Sequence, residues 1–280
     1  MGWGRAFWAV GLVLMGGCSG SGPGGPSPPS VEPLPSGDGG VAPAPPARDP
    51  VSPEVVEGRD MVEVPAGPFA MGWNQGEQAE QPVHVVRLDD FLIDRFEVTV
   101  AQYRSCVDAG ICQEPVYGPN CNWDNAEGGL HPINCVNWFA ARDYCAWVGL
   151  RLPSEAEWEK AARGNEGRVY PWGSDLEGHE ANYRIGAGTS TEPVGSHPSG
   201  VSPYGAHDMG GNVWEWVADW YGEDYYSRSP PRNPTGPELG THRVLRGGSW
   251  WFEADALPAA HRVPYVPLLT DIDIGFRCVR

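Results

Sequence analysis

The sequence predicts an α+β domain with little regular secondary structure, preceded by a long segment that does not fold. Three observations point there. Short β-branched and aromatic runs open the globular part, and capped helices occupy its middle. Beyond Gly164 the chain turns into loops rich in glycine, proline and serine.

The N-terminus reads MGWGRAFWAVGLVLMGGCSGSG, with Arg5, an apolar run from Ala6 to Met15, and small residues ahead of Cys18. This is the pattern of a secretory signal, and the run is too short to span a bilayer. Because the small residues end at a cysteine, residues 1–18 resemble a bacterial lipoprotein signal peptide. That resemblance implies lipidation of Cys18, and Ser19 in place of an aspartate implies transport to the outer membrane of the cell envelope. Residues 19–58, with SGSGPGGPSPPS and APAPP, hold too little apolar surface to fold and read as an extended tether.

The domain proper is expected over residues 59–280. Asp60 to Gly72 reads as strand, turn and strand, and Pro82 to Thr99 as strands leading into a helix. Thr99 caps that helix, which runs from Val100 to Ala109 and stops at Gly110. Asn137 caps a second helix, in which Phe139, Tyr144 and Trp147 lie near one face and read as core. The third, in LPSEAEWEKAARG, carries a capping box of Ser154 with Glu157 and ends at Gly164. The loops that follow, YPWGSD, EGHEANYR and PVGSHPSGVSPYG, need stabilisation other than strand pairing, and disulfides and a bound ion are the candidates.

Composition narrows the function. A formal charge of -17, with Lys160 the single lysine and the arginines scattered, disfavours nucleic acid and anionic membrane surfaces as partners. Of the seven cysteines, six remain after Cys18, an even set that suggests disulfides in an exported protein. Short separations favour Cys106 with Cys112 and Cys121 with Cys135, although four cysteines allow three connectivities. No CxxC spacing supports a zinc site. The seven histidines are dispersed without a close pair, which gives no support to a mononuclear iron centre. No GxSxG, HExxH or phosphate-binding glycine loop occurs, so serine hydrolase, zinc protease and kinase readings lack support.

One stretch suggests a cation site from its residues alone. In Asp208-Met209-Gly210-Gly211-Asn212-Val213-Trp214-Glu215, two carboxylates bracket glycines, as a hard cation requires when side-chain and backbone oxygens converge.

The elements YGAHDMGGNVWEWVADWY (Tyr204 to Tyr221), RVLRGGSWW (Arg243 to Trp251) and IGFRCVR (Ile274 to Arg280) carry a more specific message. Together with LPSEAEWEKAARG, they resemble the formylglycine-generating, or sulfatase-modifying factor, family over roughly Asp60 to Arg280. The resemblance implies a C-type-lectin-related fold with long ion-stabilised loops, and a disulfide between Cys145 and Cys278. It implies structural calcium held by the Asp208 side chain, the Gly211 and Val213 carbonyls and the Glu215 carboxylate. A second calcium position would start at Asn182 with the Tyr183 carbonyl, but GAGTSTEPV is short and offers no clear matching aspartate. Trp214, Ser249 and Trp250 match residues near the family's substrate groove, where Trp251 and Phe252 add apolar surface and His261 with Arg262 add polar contacts.

Phe252 and Leu257 stand where the family places its two copper-binding cysteines. A benzyl and an isobutyl group cannot ligate copper or activate oxygen, so no copper and no catalytic residue are expected. The expectation is a lipid-anchored binding or accessory module for a peptide, protein or small molecule. The alternative is an oxidase or protein-modifying enzyme using other metal ligands, and the duller one an envelope protein whose rings plug a dead cavity. Whether the chain is an enzyme stays open at this point.

Overall fold

The computed structural model describes residues 59–125, 128–184 and 190–280. The expected signal, Cys18 and the tether lie outside the described residues. So does part of the loop expected to complete the second calcium position.

The first four strands are β1 (Met61–Val64), β2 (Gly67–Met71), β3 (His84–Leu88) and β4 (Phe91–Asp94). The strand-turn-strand segment is not a hairpin. β1 pairs antiparallel with β4, and β2 pairs antiparallel with β3, giving two separate ladders. The corner between β1 and β2 is closed by Lys160, whose buried ammonium donates to the Pro65 and Gly67 carbonyls at 2.5 and 3.3 Å. A corner whose carbonyls are tied to a helix needs no pairing of its own strands.

Three helices follow at the caps the sequence marks. In α1 (Val100–Asp108), Thr99 accepts from the Gln102 amide while the Gln102 side chain accepts from Thr99, a full capping box. In α2 (Trp138–Trp147), the Asn137 side chain accepts from Ala140 N at 2.9 Å. In α3 (Glu155–Arg163), Ser154 and Glu157 form the expected box and Gly164 caps the end at φ 67°. One expectation for α2 needs correction. Its buried stripe is Trp138, Ala141, Tyr144 and Cys145, whereas Phe139 and Trp147 are only partly buried at the edge. Those two rings sit off the stripe by more than a quarter turn, which places them beside the core rather than in it.

The C-terminal half builds a four-stranded sheet in the order β7 (Arg262–Tyr265), β6 (Arg243–Arg246), β5 (Trp214–Trp220), β8 (Ile274–Gly275). β5 is antiparallel to β6 and parallel to β8. Strand alternation assigns its side chains to two cores. Trp214 and Trp216 pack with α1, α2 and Phe276, while Val217 packs with α3 and the N-terminal ladders. Three disulfides tie the loops: Cys106–Cys112, Cys121–Cys135 and Cys145–Cys278, all as expected. The molecule is thus α+β with little regular structure.

The packing of α3 is ionic as well as apolar. Arg246 of β6 donates to Glu159, and Arg262 of β7 forms a bidentate pair with Glu155 at 2.6 and 2.8 Å, all four side chains being buried. Asp219 of β5 accepts from Glu155 N at 2.9 Å. Burial, with the Glu155 charge nearby, pushes the Asp219 carboxyl up to about 8. An acid whose folded pKa lies above its unfolded one contributes stability below its unfolded pKa and loses it as pH rises through the folded value. Asp219→Asn, which keeps an oxygen acceptor, is therefore expected to flatten the loss of stability between about pH 6 and 8, by on the order of 2 kcal/mol. Parallel pH-melting profiles of the two proteins in that window would count against this.

Candidate functional site

The groove begins where β6 ends. Gly247 and Gly248 have φ of 99° and 75°, and a Cβ on Gly248 would lie 2.8 Å from the Ala256 carbonyl, so only glycine lets the chain turn this closely. The turn drives Ser249 and Trp250 inward. The Ser249 hydroxyl donates to Asp273 at 2.6 Å and accepts from Trp251 N at 3.2 Å, with no exposure. Burial pushes the Asp273 carboxyl up to about 6, and the Ser249 bond pulls the other way. Trp250 is buried and its Nε1 has no partner.

Past this turn, Trp251 and Phe252 come back to the surface, half exposed. The Phe252 ring meets Trp214 edge-on at 5.5 Å, and Trp214 in turn lies 5.8 Å from the His261 ring. His261 Nδ1 is 2.9 Å from Oε1 of Glu80, a buried carboxylate whose Oε2 has no partner. A Cβ on Gly76 would fall 1.8 Å from that Oε2, so the glycine makes room for the carboxylate. Phe252 and His261 share a cavity of about 530 Å³ with Trp73, Glu77, Glu80 and Asp255.

The structure therefore brings Trp214, Phe252 and His261 together and leaves the other expected groove residues elsewhere. Ser249 and Trp250 lie beneath the floor. Trp251 meets Trp250 edge-on and lies under Arg184 rather than lining the cavity. Arg262 is committed elsewhere, to the Glu155 pair and to the Ala79 and Gly222 carbonyls. Arg262, the first residue of β7, is buried, which makes it a core residue. The acidic and indole side of the groove, Trp73, Glu77 and Glu80, was missed in the sequence because it comes from the β2–β3 loop and no local pattern marks it.

A second constellation surrounds Asp208 and Glu215. Arg277 donates to both Glu215 oxygens at 2.7 and 2.8 Å, and Trp158 Nε1 adds a third bond at 2.8 Å. Asp208, at φ 57°, accepts from Gly195 N at 2.6 Å. Glu97, also missed in the sequence, is fully buried here. Its Oε1 accepts from Asn212 and its Oε2 has no partner. Burial, the Asp208 charge and the Glu215 charge push the Glu97 carboxyl well above the usual range, against the pull of Arg277. Asn182 sits alongside, its carbonyl accepting from Asn212 N at 2.9 Å and its amide donating to the Ser190 carbonyl at 3.0 Å. Tyr183 is buried with Ala181 and Leu257.

A family model described as a sulfatase-modifying factor enzyme 1-like domain, FGE-sulfatase, matches residues 47–280. The chain belongs to the FGE-sulfatase family. Formylglycine-generating enzyme of Streptomyces coelicolor is 34% identical over 281 residues, covering 79% of this chain and 88% of that enzyme. Serine/threonine-protein kinase pkn1 of Chlamydia pneumoniae is 39% identical over 238 residues, 79% of this chain but only 38% of that protein. The FGE-sulfatase chain thus spans well under half the length of that relative. The structure of PvdO from Pseudomonas aeruginosa superposes with a TM-score of 0.70 at 28% identity, covering 79% of this chain and 93% of that one.

Within the FGE-sulfatase frame, the two positions expected to hold thiols have different surroundings. Phe252 is 44% exposed at the groove, whereas Leu257 is 0% exposed among Ala181, Tyr183 and Trp172. Among the described residues, the cluster spaced to hold a metal ion is Glu177, His179 and Glu180. Its Glu180 already accepts from the Glu177, Gly178 and His179 amides, which outweigh burial and hold its pKa below the usual carboxylate range. That carboxylate is a loop staple.

Proposed function

We propose that this chain is a lipid-anchored FGE-sulfatase domain that acts as a binding or accessory module and carries no copper-dependent formylglycine-generating activity. The observation that carries this reading is the pair Phe252 and Leu257: one hydrocarbon edges the groove and the other is sealed in an apolar cluster, and neither can ligate copper. The groove itself suits a cationic group of a peptide or small molecule. Glu77, Glu80 and Asp255 supply negative charge, and Trp73 and Phe252 supply ring faces.

Structural calcium is part of the proposal. Glu97, Asp208 and Glu215 surround a single arginine, leaving two buried carboxylates uncompensated and an unpartnered Glu97 oxygen, hard oxygen donors with the charge that a divalent cation would balance. Asp208, Glu215 and Glu97 would hold it, with the Gly211 and Val213 carbonyls. The Asn182 and Tyr183 position is a weaker candidate of the same kind. Cys18 is proposed as the lipid anchor to the bacterial outer membrane, with no nucleic-acid partner.

The test combines metal content with turnover. Purified full-length protein is expected to contain calcium without stoichiometric copper or iron, and to leave a sulfatase-derived cysteine peptide unconverted. Aldehyde in that peptide would overturn the reading, and copper or iron near one per chain would favour an oxidase built on other ligands. Phe252→Cys with Leu257→Cys is expected not to confer copper binding, since the second thiol would lie buried among Ala181, Tyr183 and Trp172.

A further inference from the structure

A second cavity, lined by arginines, lies apart from the groove. It is an open cavity of about 650 Å³ between the β3–β4 turn, α2, the start of α3 and the start of β6, a volume in the range of small-molecule sites. Arg243 of β6 stands in it. Its guanidinium lies 3.8 Å from the centre of the Trp138 ring and 3.5 Å from that of Trp220, a cation held between two indoles. Trp138 is fixed by its Nε1 bond to the Val217 carbonyl at 2.8 Å.

Arg243 breaks the rule the other interior arginines obey. Arg163, Arg246, Arg262 and Arg277 are buried, and each pairs with a carboxylate. Arg243 donates to the Ala218 carbonyl, its Nε is buried without a partner, and among the described residues no carboxylate pairs with it. The electrostatic consequence follows. For Arg246, Arg262 and Arg277, burial would lower the pKa but the paired carboxylates raise it instead. For Arg243, burial wins over the more distant Asp219 and pushes the pKa down to about 10. A cation held between two indoles and one carbonyl, with no carboxylate to neutralise it, is a preformed receptor for an anion.

The cavity also limits what that anion is. Arg142, Arg151 and Arg280 line it as well, the first two committed to Asp143 and Glu157. Asp89, paired with Arg232, and Glu157, paired with Arg151, line it too, and the further charge of Asp90 disfavours a dianion such as a phosphate monoester more than a monoanion. Leu88, Phe91 and Leu152 supply an apolar wall. We infer that this cavity is a binding site, separate from the groove at Phe252, for a monocarboxylate with an apolar body, the carboxylate being taken by the guanidinium fork of Arg243.

The full-length protein is titrated by calorimetry with 3-phenylpropionate, its primary amide and inorganic phosphate. The acid is expected to bind in the millimolar range or tighter, and the amide and phosphate at least about tenfold more weakly. Arg243→Lys keeps the charge and loses the fork, and is expected to weaken the acid at least about tenfold. Equal binding of acid and amide, tighter binding of phosphate, undiminished binding by the lysine variant, or no acid binding at millimolar concentration would each overturn the assignment. Should the lysine variant fail to fold, the acid and amide comparison on the wild-type protein decides alone.

Discussion

Replacing Cys145 and Cys278 together by alanine is expected to lower the stability of the domain by about 5 kcal/mol, against about 2 kcal/mol for the Cys106 and Cys112 pair. The difference comes from the loops they close. Cys145 and Cys278 are 133 residues apart, and Cys106 and Cys112 only 6, so the first bridge removes far more freedom from the unfolded chain. The long bridge also joins the elements that frame both cores. Cys145 sits on the buried stripe of α2, and Cys278 follows β8, where its amide donates to Asp94 and its carbonyl accepts from Asp94 N at 2.9 Å. Asp94 is in turn locked by Arg59 through two bonds at 2.6 and 2.9 Å. Since domains of this size are stable by only about 5–15 kcal/mol, the double variant should be measurably unfolded at ambient temperature. Denaturant titration of both double variants measures the difference directly. Equal midpoints would mean that the unfolded chain is already constrained elsewhere.

What the sequence made legible was mostly local. Thr99, Asn137 and Ser154 were readable as caps because a cap and its amide partner are three residues apart, and the Cys106–Cys112 and Cys121–Cys135 pairings because the chain between them is short. The Cys145–Cys278 bridge came from family resemblance. Contacts between distant segments were not readable. Two successive strands were readable over Asp60 to Gly72, but not that β1 pairs with β4, some thirty residues on, while Lys160 of α3 ties the corner between β1 and β2. His261 was singled out without its partner Glu80, which is 181 residues away in a loop with no pattern of its own. Arg262 was placed in the groove with its neighbour because adjacency in sequence looks like a shared role, whereas its guanidinium is taken by Glu155, 107 residues away. Glu97 passed unnoticed inside a strand-to-helix junction, although it completes the acidic cluster around Arg277.

That cluster yields the second large effect, and two substitutions in it are expected to diverge. Glu215→Ala strands Arg277 without its bidentate partner and leaves Trp158 Nε1 unpaired, and breaking a buried pair on one side costs about 3–5 kcal/mol. That loss should appear with or without calcium. Glu97→Gln does the reverse in the absence of calcium. It removes a buried carboxylate that faces Asp208 and Glu215 and whose Oε2 has no partner, so in chelator the variant should be at least as stable as the wild type. With calcium in large excess over its dissociation constant, the wild type should gain on the order of 3 kcal/mol, and Glu97→Gln should lose most of that gain. Melting of the three proteins in chelator and in calcium separates the two roles of the cluster, Arg277 neutralisation, which Glu215 carries alone, and cation binding, which Glu215 would share with Glu97. A wild type that melts identically in both conditions removes calcium from the picture. The Glu215–Arg277 pair would then stand as the whole reason for the motif, and Glu97 would be a carboxyl kept protonated by its surroundings.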